Sequence, residues 1–303
     1  MDRIESAQIF VRVAEIGNLT AVARQLGLTQ PTVSRKLAAL EEHLGARLIQ
    51  RTTRALSLTE DGKIYYEHCR RLLDAADAAE TSVGHRAAAP SGLIRIASSV
   101  AFGRLYVVPL LSRLLAAYPD IRVELVTADA YDDLVEAGID LAVRIGELAD
   151  TALVARRVGI TDRVTVATPA YFDRAGVPTT PQDLKKHQCI VYTQLSTGNE
   201  WHFTGAGGPI KVRVSGPFLA NNSDAIREAT LAGLGISVSP LWLFHDAIAD
   251  GRVRAVLPDY APTALPIQLV HASRRQVSPK VRAVADFLAG EFRADPLLSG
   301  TAG

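Results

Sequence analysis

The stretch from residue 19 to residue 62 constrains this chain most, because a helical pattern in it has clear start and stop signals. Thr29 is a favoured N-cap residue, and Pro31 suits the first turn of a helix. Gly45 is a natural C-terminal stop. Between these signals, apolar residues recur at steps of four, three and four, as on one buried stripe of an α-helix: Val33, Leu37, Leu40 and Leu44.

The face opposite this stripe is short, polar and positively charged. At about 100° per residue, Arg35 and Pro31 point almost directly away from the stripe, and Thr32 and Ser34 lie on its flanks. A helix of this kind can approach a groove closely.

A second, shorter helix is predicted just before this one, from residue 20 to residue 26, and Gly27 ends it. Two helices joined by a tight turn containing glycine form a helix-turn-helix, whose second helix reads the major groove of DNA. On spacing alone, an ordinary corner between two helices remains an equal alternative.

The segment from Arg51 to Thr59 has the alternation and β-branched residues of a short hairpin, and its arginines can reach phosphates. Through Leu58 the chain carries eight Lys and Arg and five Asp and Glu, so the net charge of this part is +3. This local excess of positive charge favours DNA binding by a winged helix-turn-helix.

The composition indicates about two domains, because 303 residues exceed one small DNA-binding module. The net charge of +1 confines nucleic-acid binding to a local surface. We find no run long and apolar enough to span a bilayer and no secretory signal. We therefore expect a cytoplasmic protein with reduced thiols at Cys69 and Cys189, and a redox role for either thiol stays open.

A heptad seam follows the predicted wing, because apolar or small residues recur at alternating steps of four and three: Tyr65, Cys69, Leu72, Ala76, Ala79 and Val83. Such a narrow seam favours a helix that pairs with another helix, although a helix lying on its own domain would show a related pattern. Residues 87–92 read as a hinge.

Beyond the hinge, strands and helices alternate, which predicts βαβ units and a parallel sheet. We expect two α/β subdomains that enclose a cleft. In the first block strands are predicted at 93–97, 121–126 and 140–144, with helices at 103–118 and 131–137. In the second block the predicted elements are strands at 163–167 and 189–191, a hairpin from 201 to 214, a helix at 223–232 and a strand at 235–239. A strand at 267–272 and a helix at 279–292 are expected to return to the first block.

No catalytic constellation is visible. The glycines at 233 and 235 begin a dinucleotide fingerprint that lacks its third glycine, and the segment 235–239 fails as a nucleophile elbow at its last position. The seven histidines form no i, i+4 pair and do not cluster with cysteine, so we expect no metal site and no cofactor.

The N-terminal residues resemble the signature of the LysR-type transcriptional regulators. The match has no gaps, and small departures occur at Asn18, Val22 and Gln50. The residues that carry it are Phe10, Val13, Ala14, Glu15, Gly17, Leu19, Thr20, Ala21, Ala23, Leu26, Gln30, Pro31, Val33, Ser34, Leu37, Leu40, Glu41, Leu44, Gly45, Leu48, Arg51, Thr52, Arg54, Leu58, Thr59 and Gly62. A weaker resemblance in the second half rests on residues 140–146, 221–222 and 232–236, which suggest a branch that often regulates a neighbouring, divergently transcribed gene.

The resemblance implies an α+β N-terminal winged helix-turn-helix with a long linker helix, followed by an α/β effector domain of two subdomains that is similar to periplasmic binding proteins. We place the DNA-binding domain at 1–59, the dimerising linker helix and hinge at 60–90, and the effector domain at 91–303. Within it, subdomain I covers about 91–162 and 268–293, and subdomain II covers about 163–267.

Two groups of residues are the candidate DNA contacts. We expect base-edge contacts from Gln30, Pro31, Thr32 and Arg35. We expect contacts with phosphates or the minor groove from Ser34, Arg51 and Arg54. A solvated wing arginine is the alternative for Arg54.

A small carboxylate-bearing effector is expected where a strand end meets a helix start near residues 98–103. Ser98, Ser99 and the backbone of Phe102 would hold it on one side, with the Phe102 ring as an apolar wall, and Asn222 would hold it on the other side. Arg144 approaches the cleft in this hypothesis, although an internal ion pair with Asp140 or Glu147 is at least as good an interpretation. Ser98 can also be explained as a turn residue.

The sequence therefore predicts a DNA-binding transcriptional regulator modulated by a small, anionic molecule. Its expected partners are double-stranded DNA with an inverted-repeat operator, RNA polymerase and further copies of itself, as a homodimer and, by analogy with the family, a homotetramer. The alternatives are a solute-binding protein and an enzyme built on the C-terminal half, against which stand the DNA-reading segment and the missing catalytic residues.

Overall fold

The computed structural model describes residues 2–51, 56–83, 89–129, 134, 137–148, 153–272 and 277–300. They form two compact units, the first extending to Ala89 and the second beginning at Pro90. The fold is the one predicted, a winged helix-turn-helix with a long following helix and a mixed α/β part.

The first unit is helical apart from one short hairpin. Its elements in chain order are α1 (Arg3–Ile16), α2 (Leu19–Gln25), α3 (Gln30–Leu44), β1 (Ile49–Arg51), β2 (Leu56–Leu58) and α4 (Glu60–Val83).

Capping residues set the ends of these helices. Asp2 accepts a hydrogen bond from the N–H of Ile4 at 2.9 Å, and Thr29 caps α3. Gly45 ends α3 in the left-handed conformation, with φ of 65°, as its position in the sequence predicts.

The buried stripe of α3 faces a core shared with α1, the wing and α4. Val33, Leu37 and Leu40 are buried, together with Phe10 of α1. The fourth predicted stripe residue is an exception, because Leu44 is 39% exposed. Leu44 is the last residue of the helix, so this step of the stripe lies past the buried part of α3.

A single backbone segment joins the wing to its neighbours. The N–H groups of Leu48 and Ile49 donate to the Glu41 carboxylate at 2.8 and 3.0 Å. The carbonyl of Leu48 accepts from the N–H of Thr59 at 3.0 Å. A Cβ atom at Gly62 would lie 2.0 Å from that carbonyl oxygen, so only glycine fits there.

The second unit alternates strands and helices. Its elements in chain order are β3 (Gly92–Ser98), α5 (Val100–Phe102), α6 (Leu111–Ala117), β4 (Ile121–Thr127), β5 (Leu141–Ile145), β6 (Leu153–Thr161), β7 (Arg163–Ala167), α7 (Pro169–Ala175), β8 (Ile190–Tyr192), β9 (Glu200–Gly205), β10 (Gly208–Arg213), β11 (Phe218–Ala220), α8 (Ser223–Leu231), β12 (Ser237–Pro240), α9 (Leu241–Ala249), β13 (Arg254–Val256), β14 (Ala261–Pro262), β15 (Leu265–Ala272) and α10 (Pro279–Ala294).

The main sheet has the strand order β4-β3-β5-β15-β6. β3 pairs in parallel with β4 and β5, as the βαβ pattern predicts. β15 returns to this sheet from the far end of the chain and pairs antiparallel with β5 and β6. The sheet is therefore mixed, and its predicted parallel character holds only for β3, β4 and β5.

Residues between β6 and β15 build a second layer around smaller sheets. β7 lies between β12 and β13 and is antiparallel to both, while β8 pairs in parallel with β11. The predicted hairpin is present as β9 and β10, with the register Trp201 opposite Val212. The predicted helix at 131–137 lies outside the described residues except at Leu134 and Ala137.

The helical segment Val100–Ala117 joins β3 to β4 and includes a π-helical turn and a 3-10 turn between α5 and α6. By length and composition it could cross a membrane, so the sequence-based expectation that no such run exists is wrong. Its Phe102, Val107 and Leu114 are buried within the second unit. One such helix is weak evidence for a membrane span, because core helices of soluble proteins pass the same test.

Replacing Gly62 by alanine should destabilise the first unit by about 1–3 kcal/mol or more, because the new methyl group collides with the Leu48 carbonyl and the wing must move. Urea unfolding followed by circular dichroism measures this. Gly290→Ala in α10 is the control, since nothing lies within 4 Å of a Cβ there and removing a helical glycine should stabilise by about 0.5–1 kcal/mol. Equal stability of wild type and Gly62→Ala would contradict this account of the junction.

Candidate functional site

The N-terminal half of α3 presents the polar face that the sequence predicts. Gln30, Pro31 and Arg35 are exposed, and Thr32 and Ser34 are half-buried at its edges. The Thr32 hydroxyl shares a hydrogen bond of 2.8 Å with Thr29, so it belongs to the cap of the helix.

Charge around this face is partly compensated. Lys36, the residue after Arg35, forms an ion pair with Glu5 of α1, which ties α3 to α1. Because that cation has a carboxylate partner, the positive charge of Arg35 is the more accessible one on this face.

The wing is present as β1 and β2, with Arg51 opposite Leu56. Its tip, which includes Arg54, lies outside the described residues, as does the side chain of Arg51. The predicted roles of these arginines therefore rest on their positions in the sequence, beside a hairpin that Glu41 anchors to α3.

The predicted heptad seam of α4 divides into two parts. Cys69 is buried in the core of the first unit, and Tyr65 packs against Phe10 with ring centroids 5.4 Å apart. The alternative interpretation, a helix lying on its own domain, applies to this part, so we remove Tyr65 from the predicted dimerisation seam. Further along, Leu72 is 46% exposed and Ala79 is exposed.

Both thiols are buried. Burial raises the pKa of the Cys69 thiol and raises the pKa of the Cys189 thiol to about 12. Both therefore stay protonated near neutral pH, which disfavours reaction with oxidants. Among the described residues, no group of three His, Cys, Asp or Glu side chains is arranged to hold a metal ion.

The second unit contains a cavity that is partly open to solvent. Residues of the main sheet and of the second layer line it together. Most of its wall is apolar, as at Val143, Ile145, Leu195 and Ile226.

Ser99 and Arg144 are the predicted effector residues that line this cavity. Arg144 is 8% exposed and has interactions of its own within the unit. Asp140, one of its suggested ion-pair partners, accepts a hydrogen bond from the N–H of Arg95 at 2.7 Å.

The other predicted effector residues do not line the cavity. Phe102 is fully buried, with its ring against Tyr106, Trp242 and Phe292, so its predicted role as a cavity wall is wrong. The helical residues just after Ser99 are buried in the core of the second unit. Their direction depends on how the unit packs, and the sequence alone does not show it. Ser98 is 1% exposed and lies behind its neighbour.

Asn222 caps α8 and also joins it to the end of β4. Its side-chain oxygen accepts from the N–H of Ala225 at 2.9 Å, and its side-chain amide donates to the Asp129 carboxylate. Burial raises the pKa of the Asp129 carboxyl group, while the bonds from Asn222 and from the N–H of Val100 lower it. Asn222 thus stands beside the cavity, as the partner of a lining residue.

Most of the lining residues were not expected from the sequence, and Arg163 and Trp242 are the two among them with buried side-chain donors. Arg163 is the first residue of β7. Its Nη2 donates to the Val238 carbonyl at 3.2 Å. Burial lowers the pKa of Arg163 to about 10. The signal available in the sequence was an arginine at the start of a strand that is otherwise uncharged.

Two family models cover most of the chain. Residues 4–63 match the bacterial regulatory helix-turn-helix protein, lysR family, and residues 87–293 match the LysR substrate binding domain. The chain belongs to the LysR family of transcriptional regulators. It is a DNA-binding transcriptional regulator with an effector-binding domain.

Relatives and solved structures agree. An HTH-type transcriptional regulator from Xanthomonas campestris pv. campestris is 35% identical, covering 95% of this chain and 85% of the relative. CrgA from Neisseria meningitidis serogroup C is 34% identical, with coverages of 95% and 96%. The structure of CrgA from Neisseria meningitidis has a TM-score of 0.61 at 33% identity, covering 95% of this chain and 98% of that chain. The full-length structure of the Vibrio cholerae virulence activator AphB has a TM-score of 0.59 at 28% identity, with coverages of 95% and 99%.

Replacing Asn222 by alanine should lower the free energy of unfolding by about 1–3 kcal/mol at pH 7, because α8 loses its cap and Asp129 loses a donor. The loss of that donor raises the folded-state pKa of Asp129 further above its unfolded value of about 3.9. Stability contributed by the protonated form is present at low pH and is lost as the pH rises through the folded pKa. The difference between wild type and Asn222→Ala should therefore shrink as the pH falls from 7 to 4.5.

Urea unfolding of the second unit at both pH values measures this, with Asp129→Asn as the background that removes the titrating group. In that background the effect of Asn222→Ala should not depend on pH between these values. A pH dependence of the same size in both backgrounds would show that Asp129 is not responsible.

Proposed function

We propose that this regulator binds an inverted-repeat operator as a homodimer, with the N-terminal half of α3 in the major groove. The observation that carries the proposal is the exposed polar face of α3 opposite its buried stripe. Gln30, Pro31 and Arg35 project from this face, while Val33 and Leu37 on the other side hold the helix in the core.

The proposed DNA contacts, on α3 and in the wing, divide by the part of DNA that they are expected to reach. Gln30, Pro31, Thr32 and Arg35 are proposed to approach base edges, and arginine can grip guanine with two hydrogen bonds. Ser34, Arg51 and Arg54 are proposed to contact phosphates or the minor groove, where they position the protein without reading sequence.

Replacing Arg35 by alanine should relax the base preference at one position in each half-site, with a loss of about 1–3 kcal/mol of discrimination. Replacing Arg54 by alanine should weaken binding to all sequences alike and reduce the salt slope by about one. Selection of bound sequences from a randomised operator, with titrations at two salt concentrations, measures both effects. Arg157→Gln removes an exposed positive charge from the second unit and should change neither.

Arg35→Ala with unchanged base preference would refute the proposed contact. An unchanged salt slope for Arg54→Ala would mean that Arg54 is a solvated residue of the wing and does not contact phosphate.

The second half of α4 is the proposed dimer contact. Leu72, Ala76, Ala79 and Val83 continue the heptad steps beyond the part that packs in the core, and small residues allow two helices to approach closely. An exposed leucine beside alanines suits a second copy of the same helix, which the family resemblance makes antiparallel. Pairing of effector domains into tetramers is proposed on the same analogy.

Replacing Ala76 by aspartate should dissociate the dimer, because it places a charge in the proposed seam. The second unit should keep its unfolding transition. Ala75→Asp is the matched control, since the neighbouring position lies outside the seam, where charges are common in coiled coils. Light scattering and sedimentation give the masses. A wild-type mass for Ala76→Asp would reject the seam.

The cavity of the second unit is the proposed effector site, and the effector is a small anion. Ser99 and Arg144 are proposed contacts because both line the cavity. Binding would favour one arrangement of the two layers and so change DNA binding. We further infer that the protein acts in the cytoplasm, contacts RNA polymerase and is not an enzyme, in keeping with relatives named as transcriptional regulators.

A further inference from the structure

Two residues that line the cavity of the second unit carry a buried side-chain hydrogen-bond donor that has no partner. The two donors are the Nε–H of Arg163 and the Nε1–H of Trp242, within the part of the chain that the structure describes. Both groups can only donate. Buried polar groups are almost always hydrogen-bonded, so unpartnered donors on two neighbouring lining residues point to an acceptor that the described part of the protein does not supply.

The two donors lie close together in the fold. Arg163 stands opposite Pro240 in the β7–β12 pair, and Trp242 follows two residues later at the start of α9. The hydrogen bond from Leu241 N–H to the Asp162 carbonyl, at 2.8 Å, fixes this turn beside the start of β7. Trp242 is further held by edge contacts with Phe102 and Tyr106, at centroid distances of 5.5 and 5.7 Å.

The positive charge of Arg163 indicates that the missing hydrogen-bond acceptor is an anion. Arg163 forms no ion pair with a carboxylate in the described part of the chain, and its Nη2 donates only to the Val238 carbonyl. The carboxylate of the cavity wall, Asp129, is already engaged by Asn222 and by the N–H of Val100. A planar carboxylate suits the planar guanidinium, which can donate two parallel hydrogen bonds.

The rest of the wall determines the body of the ligand. Aliphatic and aromatic side chains dominate it, including Val143, Tyr192, Leu195 and Leu265. A polar body would lose its hydration without compensating hydrogen bonds against such a wall. An apolar body gains free energy in proportion to the area that it buries.

We propose that the effector is a monocarboxylate with an apolar body, and that Arg163 and Trp242 hold its carboxylate. This deepens the proposed function and rests on it, because it names the ligand class and the anchor in the same cavity. It also moves the anchor of the anion from the 98–102 segment, where the sequence placed it, to the start of β7.

The test uses the full-length protein and matched pairs of probes, phenylacetate with phenylacetamide and hexanoate with hexanamide. Acetate and succinate serve as probes without an apolar body and with two charges. Calorimetry gives affinities, and tryptophan emission reports binding next to Trp242. We expect each carboxylate to bind at least tenfold more tightly than its amide, and acetate and succinate to bind more weakly than either carboxylate.

Arg163→Gln should weaken carboxylate binding tenfold or more and leave amide binding unchanged. Arg163→Lys should restore part of the affinity, because it keeps the charge without the planar fork. Arg157→Gln removes the same charge from an exposed position on β6 and should behave as wild type. Trp242→Phe should abolish the emission change and weaken the carboxylate selectively.

Equal affinity of wild type and Arg163→Gln for phenylacetate and hexanoate would overturn the proposal, as would equal binding of acids and amides. If succinate binds through Arg144 and Ser99 while the monocarboxylates do not bind, the anionic effector site stands and this inference fails. If only neutral or cationic compounds bind, both the inference and the proposed anionic effector fail. Unfolding by urea confirms that each variant is folded before titration.

Discussion

The backbone of Leu48 is the point on which the DNA-binding unit depends. Its N–H donates to the Glu41 carboxylate of α3, and its carbonyl accepts from the N–H of Thr59, the residue just before α4. Gly62 packs so closely on that carbonyl that no other residue fits. Helix α3, the wing and helix α4 therefore meet at the backbone of Leu48, through the Glu41 side chain on one side and through backbone contacts on the other. A shift of α4 acts directly on the wing at this point.

Helix α4 takes part in this junction. The heptad stripe of α4 runs along the whole helix, but its surroundings change along the way. Its first turns bury Cys69 and pack Tyr65 on Phe10, so they belong to the core of the first unit. Further along the same stripe Leu72 and Ala79 are exposed and Ala76 is half-buried, although the heptad spacing continues. A periodic pattern shows that a face is apolar, but the partner of that face depends on where the domain ends in space.

The parts predicted well from sequence are those set by neighbouring residues. Thr29, Pro31 and Gly45 act through local backbone geometry, so the limits of α3 follow from them. Contacts between distant segments explain the errors. β6 carries a run of exposed residues from Val154 to Arg157 and pairs only at one edge of the sheet, so it shows no alternation of apolar residues. Arg163 and Trp242 form one wall only because β7 and β12 pair.

Few polar contacts hold α8 to the neighbouring layer, which bears on how a ligand in the proposed cavity site would act. Two contacts join α8 to the β3–β4 side of the unit, the Asn222–Asp129 hydrogen bond and the Arg104–Asp224 ion pair at 2.7 Å. Arg104 is exposed, and ion pairs of this kind contribute about 0–1 kcal/mol. The free energy of the partly buried Asn222–Asp129 hydrogen bond is offset by the cost of burying the Asp129 carboxylate. The raised pKa of Asp129 is a consequence of that burial. A ligand with a differential affinity of a few kcal/mol for one arrangement can outweigh these two polar contacts, which act beside the packing of Trp242 on Phe102 and Tyr106. An anion held at Arg163 and Trp242 on one layer, with its body against Val143 and Ile145 on the other, has contacts with both layers and hence the means to favour their approach.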